Sequence, residues 1–138
     1  MPALTSPRIV LWLLQAFSTL FLAILFLQSG IDKLIDFRGN QGYLMNHFDK
    51  SPLRGVVTPM LVVITIIEVS AGVLCAVGVL ELLVLGVARI AFWGIAVAAV
   101  AFTSLFLGQR LAKDYTGAAI LVPYFLLALV GMWVTSRR

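Results

Sequence analysis

One cysteine, Cys75, and one histidine, His47, are all that this 138-residue chain offers of the side chains that most often carry redox or metal chemistry. A lone cysteine cannot close an intrachain disulfide. That excludes, within this chain, the paired-thiol exchange by which small four-helix membrane oxidoreductases pass electrons from thiols to quinones. A lone histidine cannot supply bis-histidine haem ligation, and no glycine-rich nucleotide motif follows a strand. His47 reads as an interfacial polar residue rather than a metal ligand. The sequence therefore predicts no metal site and no intrinsic cofactor.

Charge is scarce as well: 12% of residues are charged against 62% hydrophobic, and the mean hydropathy is +1.07. A soluble domain of this size could not hide so much apolar surface, whereas lipid removes the need to hide it. The net charge of +4 comes from ten Lys and Arg scattered singly near helix ends and loops. Such scatter suits membrane topology and anionic-lipid contact, not nucleic acid.

What the chain does have is apolar length. Runs over residues 9–31, 56–80, 82–107 and 117–134 can each cross roughly 30 Å of hydrocarbon, predicting an all-α bundle of four transmembrane helices in one domain, 1–138. The first run exceeds a signal-peptide core and no small-x-small site follows, so it is expected to stay as a span. A tight hairpin is expected around Glu81, and residues 108–116 form a short polar turn. Four spans put both termini on one side. Lys33, Arg38, Lys50, Arg54, Arg110 and Lys113 outnumber Arg8, Arg137 and Arg138, which favours cytoplasmic loops.

The one long polar insertion, "DFRGNQGYLMNHFDKSPLRG", joins the first two spans. Gly39, Asn40 and Gly42 are expected to break the helix before an interfacial helix or re-entrant cap. Gly72 and Ala76, with Gly94, Ala98 and Ala101, recur at helical spacing and permit close approach of the second and third spans. Trp12 and Trp133 suit the boundary on the termini side, and Trp93 is expected to be packed between helices.

Two charges fall inside the runs. Glu68 lies about 18 Å into the second span, where a lipid-exposed carboxylate costs about 3 kcal/mol; it is either an interhelical hydrogen-bond partner or a ligand or proton site. With the hairpin at Glu81, Arg89 comes within about 7 Å of Glu68 along the axis, so it either pairs with Glu68 or snorkels to the nearer interface. At the other membrane boundary, "SGIDKLIDF" (residues 29–37), with Gln28 before it, and "GQRLAKDY" (residues 108–115) bring Gln28, Asp32, Lys33, Gln109, Arg110, Asp114 and Tyr115 toward one end of the bundle. Asp32 and Asp36 share a helix face and repel unless a cation such as Lys33, Arg38 or Arg110 lies between them. A solvated helix end is the simpler reading. The sharper one takes Lys33, Glu68, Arg110 and Tyr115 as a ligand-binding set, with Asp32, Asp36, Arg89 and Asp114 as a structural charge cluster.

"SGIDKLIDF" closing the first span, an acid in "IIEVSAGVLCAVGVL", and the aromatic-rich last span after "KDYTG" together resemble the DoxX family of small four-helix membrane proteins. The resemblance covers nearly the whole chain, and Gly30, Lys33 and Glu68 are the positions it carries over. The family often has a Thr-Arg pair after the second span, where this chain reads "VGVLELLVLGVAR". The resemblance implies a multi-pass protein of a bacterial or archaeal inner membrane in a quinone-linked respiratory setting. The leading expectation is an accessory subunit of a larger redox assembly that packs helices and bound lipid or quinone at its periphery, with other membrane-protein subunits and the bilayer as partners. An autonomous quinone-reactive enzyme and a small transporter or assembly factor, with Glu68 as coupling site, are the alternatives.

Overall fold

A serine and a proline open the first helix: Ser6 accepts the Ile9 N–H at 3.3 Å through its hydroxyl, and Pro7 occupies a first-turn position that needs no N–H. In the computed structural model, which describes residues 6–137, the chain then forms five α-helices. These are α1 (Pro7–Ile35), α2 (Phe37–His47), α3 (Val57–Leu85), α4 (Arg89–Leu111) and α5 (Tyr115–Thr135), with a 3-10 turn at Arg54–Val56 before α3. Four of them, all but α2, are long and apolar enough to span a membrane. The chain is a multi-pass integral membrane protein with an all-α, four-helix bundle.

The long helices alternate in direction, α1 against α3, α3 against α4, α4 against α5, and α5 closes the ring on α1. The core is thin: Leu22, Phe26, Leu61, Ile64, Cys75, Ile95 and Phe102 are buried, and Phe26, Phe102 and Tyr124 form an aromatic column with neighbouring centroids 4.9 and 5.8 Å apart. Phe17, Ile24, Leu80, Val84 and Val130 instead face outward, as lipid-facing side chains do. Hydroxyls within the spans bond their own helix: Thr19 donates to Gln15 O, Thr65 to Leu61 O and Thr135 to Gly131 O, each at 2.6 Å. In hydrocarbon no water would satisfy them.

Small residues set the register. A side chain at Gly72 would meet the Leu27 backbone nitrogen at 2.7 Å, and one at Gly94 would meet the Cys75 nitrogen at 2.8 Å. Gly72 thus seats α1, while Gly94 joins α3 to α4. With Gly30 against Val69 and Gly78 against Ala91, α1 is seen to stop level with about residue 64 of α3, whereas α4 continues almost to the start of α3. At a 1.5 Å rise, α1 falls short by roughly 10 Å.

The chain fills that gap with α2. Asp36 ends α1 by donating its N–H to Asp32 O at 2.9 Å and starts α2 by accepting the Gly39 N–H at 3.2 Å. Gly39 and Gly42, expected to break the helix, lie inside it. Gly39 is there because a Cβ would collide with the Asp36 carboxylate that caps the turn. Asp114 repeats the device at the start of α5, accepting the Gly117 N–H at 2.9 Å.

The hairpin is also displaced from its expected place. Glu81 remains helical, and the reversal comes at residues 86–88, where Gly86 takes the left-handed conformation (φ 70°) and donates to Leu82 O at 3.1 Å. Glu81 reaches across to accept the Ile90 N–H at 2.9 Å, capping α4. The third span therefore starts at Arg89 instead of residue 82. Trp93 consequently sits in the first turns of α4, 61% exposed, and joins Trp12 and Trp133 at the termini-side boundary instead of packing between helices.

Substituting Gly72 by Val should force α1 away from α3 and lower stability by about 1–3 kcal/mol, as overpacking does. Gly42→Ala, where nothing lies within 4 Å, should be neutral or slightly stabilising. Thermal unfolding of both variants in mild detergent, followed by circular dichroism, checks the contrast.

Candidate functional site

Where α1 approaches its end, three side chains close on one another. Lys33 Nζ lies 2.8 Å from Glu68 Oε2 and donates to Ser29 Oγ at 2.9 Å; the Ser29 hydroxyl in turn donates to the same Glu68 oxygen at 2.8 Å. Ser29 and Lys33 are one helical turn apart, so they share the α1 face that meets α3. Glu68 is eleven residues beyond Val57, about 16 Å along α3, and is 1% exposed. The intramembrane carboxylate is thus met by a cation and a hydroxyl at one helix crossing, the arrangement that makes a buried charge tolerable.

Lys33 is the outer member of this triad. An ammonium has three donors, and two are directed at Ser29 and Glu68. The Lys33 side chain, 16% exposed, borders a cavity of about 610 Å³ beneath α2. Its floor is the first turns of α3 and the last turns of α4, the two walls that α1 is too short to cover. Leu61, Ile64, Ile67, Leu105 and Phe48 make it mostly apolar, and Asn40, His47 and Gln109 add polar atoms at its rim. His47 Nε2 lies 2.6 Å from Gln109 Oε1 and 3.6 Å from the Asp114 carboxylate, tying the end of α2 to the α4–α5 turn. Buried Phe48 packs against Gly108, and Gln41 donates to the Thr58 hydroxyl at 2.7 Å.

The structure divides the expected charge cluster. Lys33 and Glu68 come together and border the cavity. Arg110 and Tyr115 pair with each other, the guanidinium 4.6 Å from the ring centroid, and neither lines this cavity. Gln109, one residue earlier, takes the inward phase of α4. Asp32 is exposed and makes no salt bridge among the described residues; Asp36 and Asp114 act as helix caps. Lys33 does not bridge Asp32 and Asp36, because it turns inward to the more buried acid. Arg89 belongs to neither group: with the reversal at residues 86–88 it starts α4 at the opposite end, and Glu68 lies about 25 Å up α3 from Leu85. Gln109, expected at this end of the bundle, lines the cavity; Ser29, Asn40 and His47 complete the site beyond the residues expected for it, and only the polar character of Ser29 within an otherwise apolar helix end announces them.

These placements also narrow the charge asymmetry. Lys33 is neutralised by Glu68 and Arg89 moves to the termini side, so among the described residues five loop-side cations (Arg38, Lys50, Arg54, Arg110 and Lys113) face three (Arg8, Arg89 and Arg137); Arg138 lies outside them. The chain matches no protein-family model, no curated protein and no solved structure.

Lys33→Met leaves Glu68 buried without its cation and should cost about 3–5 kcal/mol, as removal of one partner of a buried pair does. Combining it with Glu68→Leu should restore most of the loss, since two apolar side chains suit the crossing. Glu68→Gln, which keeps a hydrogen bond to Ser29, should be milder than Glu68→Leu alone. Unfolding free energies in detergent, arranged as a double-mutant cycle, measure the coupling; additive losses would remove the pair as the determinant of this crossing.

Proposed function

We propose that this chain is an accessory membrane subunit of the DoxX kind that holds a quinone-type amphiphile in the cavity under α2, beside a larger redox assembly. The observation that carries the reading is the cavity's charge balance. Lys33 is already matched by Glu68, so the wall offers a hydrogen-bond donor without a net charge to be neutralised. A phospholipid's anionic head gains little there. A neutral head with carbonyl acceptors gains a charge-assisted hydrogen bond, and its isoprenoid tail finds Leu61, Ile64 and Leu105.

Supporting the family reading, the residues the resemblance carries over are neighbours in space: Gly30 abuts Val69, next to Glu68, while Lys33 bonds Glu68. A volume of about 610 Å³ falls within the range of small-molecule sites. The role of subunit rather than self-sufficient enzyme rests on the sequence, which has one cysteine and one histidine. His47 is engaged with Gln109 and Cys75 is buried in α3.

Decylubiquinone at about 100 times its Kd should stabilise the purified protein by about 2.7 kcal/mol. Ile64→Trp, which fills the cavity, should abolish that gain while leaving the unliganded bundle folded. Solvent extracts of protein purified in mild detergent should contain quinone, together with co-purifying membrane subunits. An unchanged melting temperature with decylubiquinone removes the ligand assignment. Quinone turnover by the chain alone replaces the subunit reading with that of an enzyme.

A further inference from the structure

The opposite end of the bundle holds a second and larger cavity, of about 880 Å³, between the first turns of α1, the α3–α4 reversal and the end of α5. Its charge is not balanced. Among the described residues Arg8, Arg89 and Arg137 all line it, and no acidic side chain does. Among the described residues none of the three arginines forms a salt bridge. Of the chain's six acidic side chains only Glu81 lies toward this end, and it is engaged in capping α4 through the Ile90 N–H at 2.9 Å.

Contacts around the cavity fix Arg137 and the α3–α4 reversal. Gln15, buried, donates to Val134 O at 2.9 Å and to Arg137 O at 3.2 Å, fixing the end of α5 against α1. The Arg137 guanidinium lies 5.0 Å from the Trp133 ring centroid. Trp12, half-buried, donates its indole N–H to Leu82 O at 3.2 Å across the reversal. Arg8 and Arg89 stand in the first turns of α1 and α4. Below the arginines the wall is apolar, made of Leu11, Phe92 and Trp93.

We propose that this cavity is a binding site for an anionic phospholipid, its phosphate held by Arg8, Arg89 and Arg137 and the start of an acyl chain laid against Leu11, Phe92 and Trp93. The three arginines are exposed and without a carboxylate beside them, so an anion complements their charge, and guanidinium pairs phosphate in bidentate geometry. The tryptophans place the arginines at headgroup depth, and the apolar wall favours a tethered phosphate over a free one. The site is independent of the cavity under α2, from which it is separated by the length of the bundle.

Thermal stability in phosphatidylcholine nanodiscs with and without phosphatidylglycerol tests this. Phosphatidylglycerol should raise the melting temperature of the wild-type protein, and native mass spectrometry should find it retained. Arg8→Gln/Arg89→Gln/Arg137→Gln should abolish both effects without lowering stability in phosphatidylcholine alone, and Arg89→Gln by itself should weaken retention about tenfold, the effect of losing one charged hydrogen bond. Arg38→Gln/Lys50→Gln/Arg54→Gln, which removes as many charges from the loop side, should change neither. Should the termini-side triple variant not fold, the single variant carries the comparison. Equal retention by wild type and Arg89→Gln, an equal loss in the loop-side variant, or equivalent stabilisation by inorganic phosphate alone overturns the proposal.

Discussion

The salt bridge between Lys33 and Glu68, closed by the Ser29 hydroxyl, is the constraint from which the architecture of one end of this bundle follows. A carboxylate so deep in α3 has no water to solvate it, so its partners must come from the protein, and α1 supplies both from adjacent turns of one face. Meeting that need fixes where α1 lies along α3, in agreement with the close approaches at Gly30 and Gly72. Once the register is fixed, α1 ends before α3 and α4 do. The missing turns become a cavity, and α2 becomes its roof. Much of the polar insertion can be read as the means by which a helix that stops early is completed.

The two ends of the molecule treat charge in opposite ways. At the loop side, three of the acids are engaged: Glu68 meets Lys33, Asp114 approaches His47 and caps α5, and Asp36 caps α2. At the termini side the lone acid is spent on a helix N-terminus and three arginines are left facing one cavity. A neutral wall that still donates hydrogen bonds and a cationic wall over an apolar floor select different molecules, even though both are built from the same bundle.

The spans were legible because lipid demands long apolar runs, and Glu68 was legible because an acid in such a run has to be explained. Its partner was not. Glu81 looks like the polar tip of a hairpin, and placing the turn there brings Arg89 toward Glu68; the turn depends instead on Gly86, whose left-handed conformation is invisible in hydropathy. The insertion misled for a related reason. Glycines at 39 and 42 suggest a broken chain, yet "DFRG" and "DYTG" are one pattern used twice, an aspartate capping a helix whose third residue has no side chain to obstruct it. Comparing those two tetrapeptides would have revealed the helix. The contact between His47 and Gln109 had no such signal, because it exists only after α2 has folded back across the bundle.

The roof itself is lightly attached. No residue of α2 is fully buried; it is held by the Asp36 hinge, by Gln41 on Thr58, by His47 on Gln109 and by Phe48 just beyond its end. Elements with few buried contacts open at a small fraction of the free energy of global unfolding. Lifting of α2 is therefore a local event that leaves the membrane helices together. Roof and bundle are held by separate interactions: a change at His47 or Phe48 bears on the roof, while the crossing at Glu68 sets whether there is a chamber beneath it.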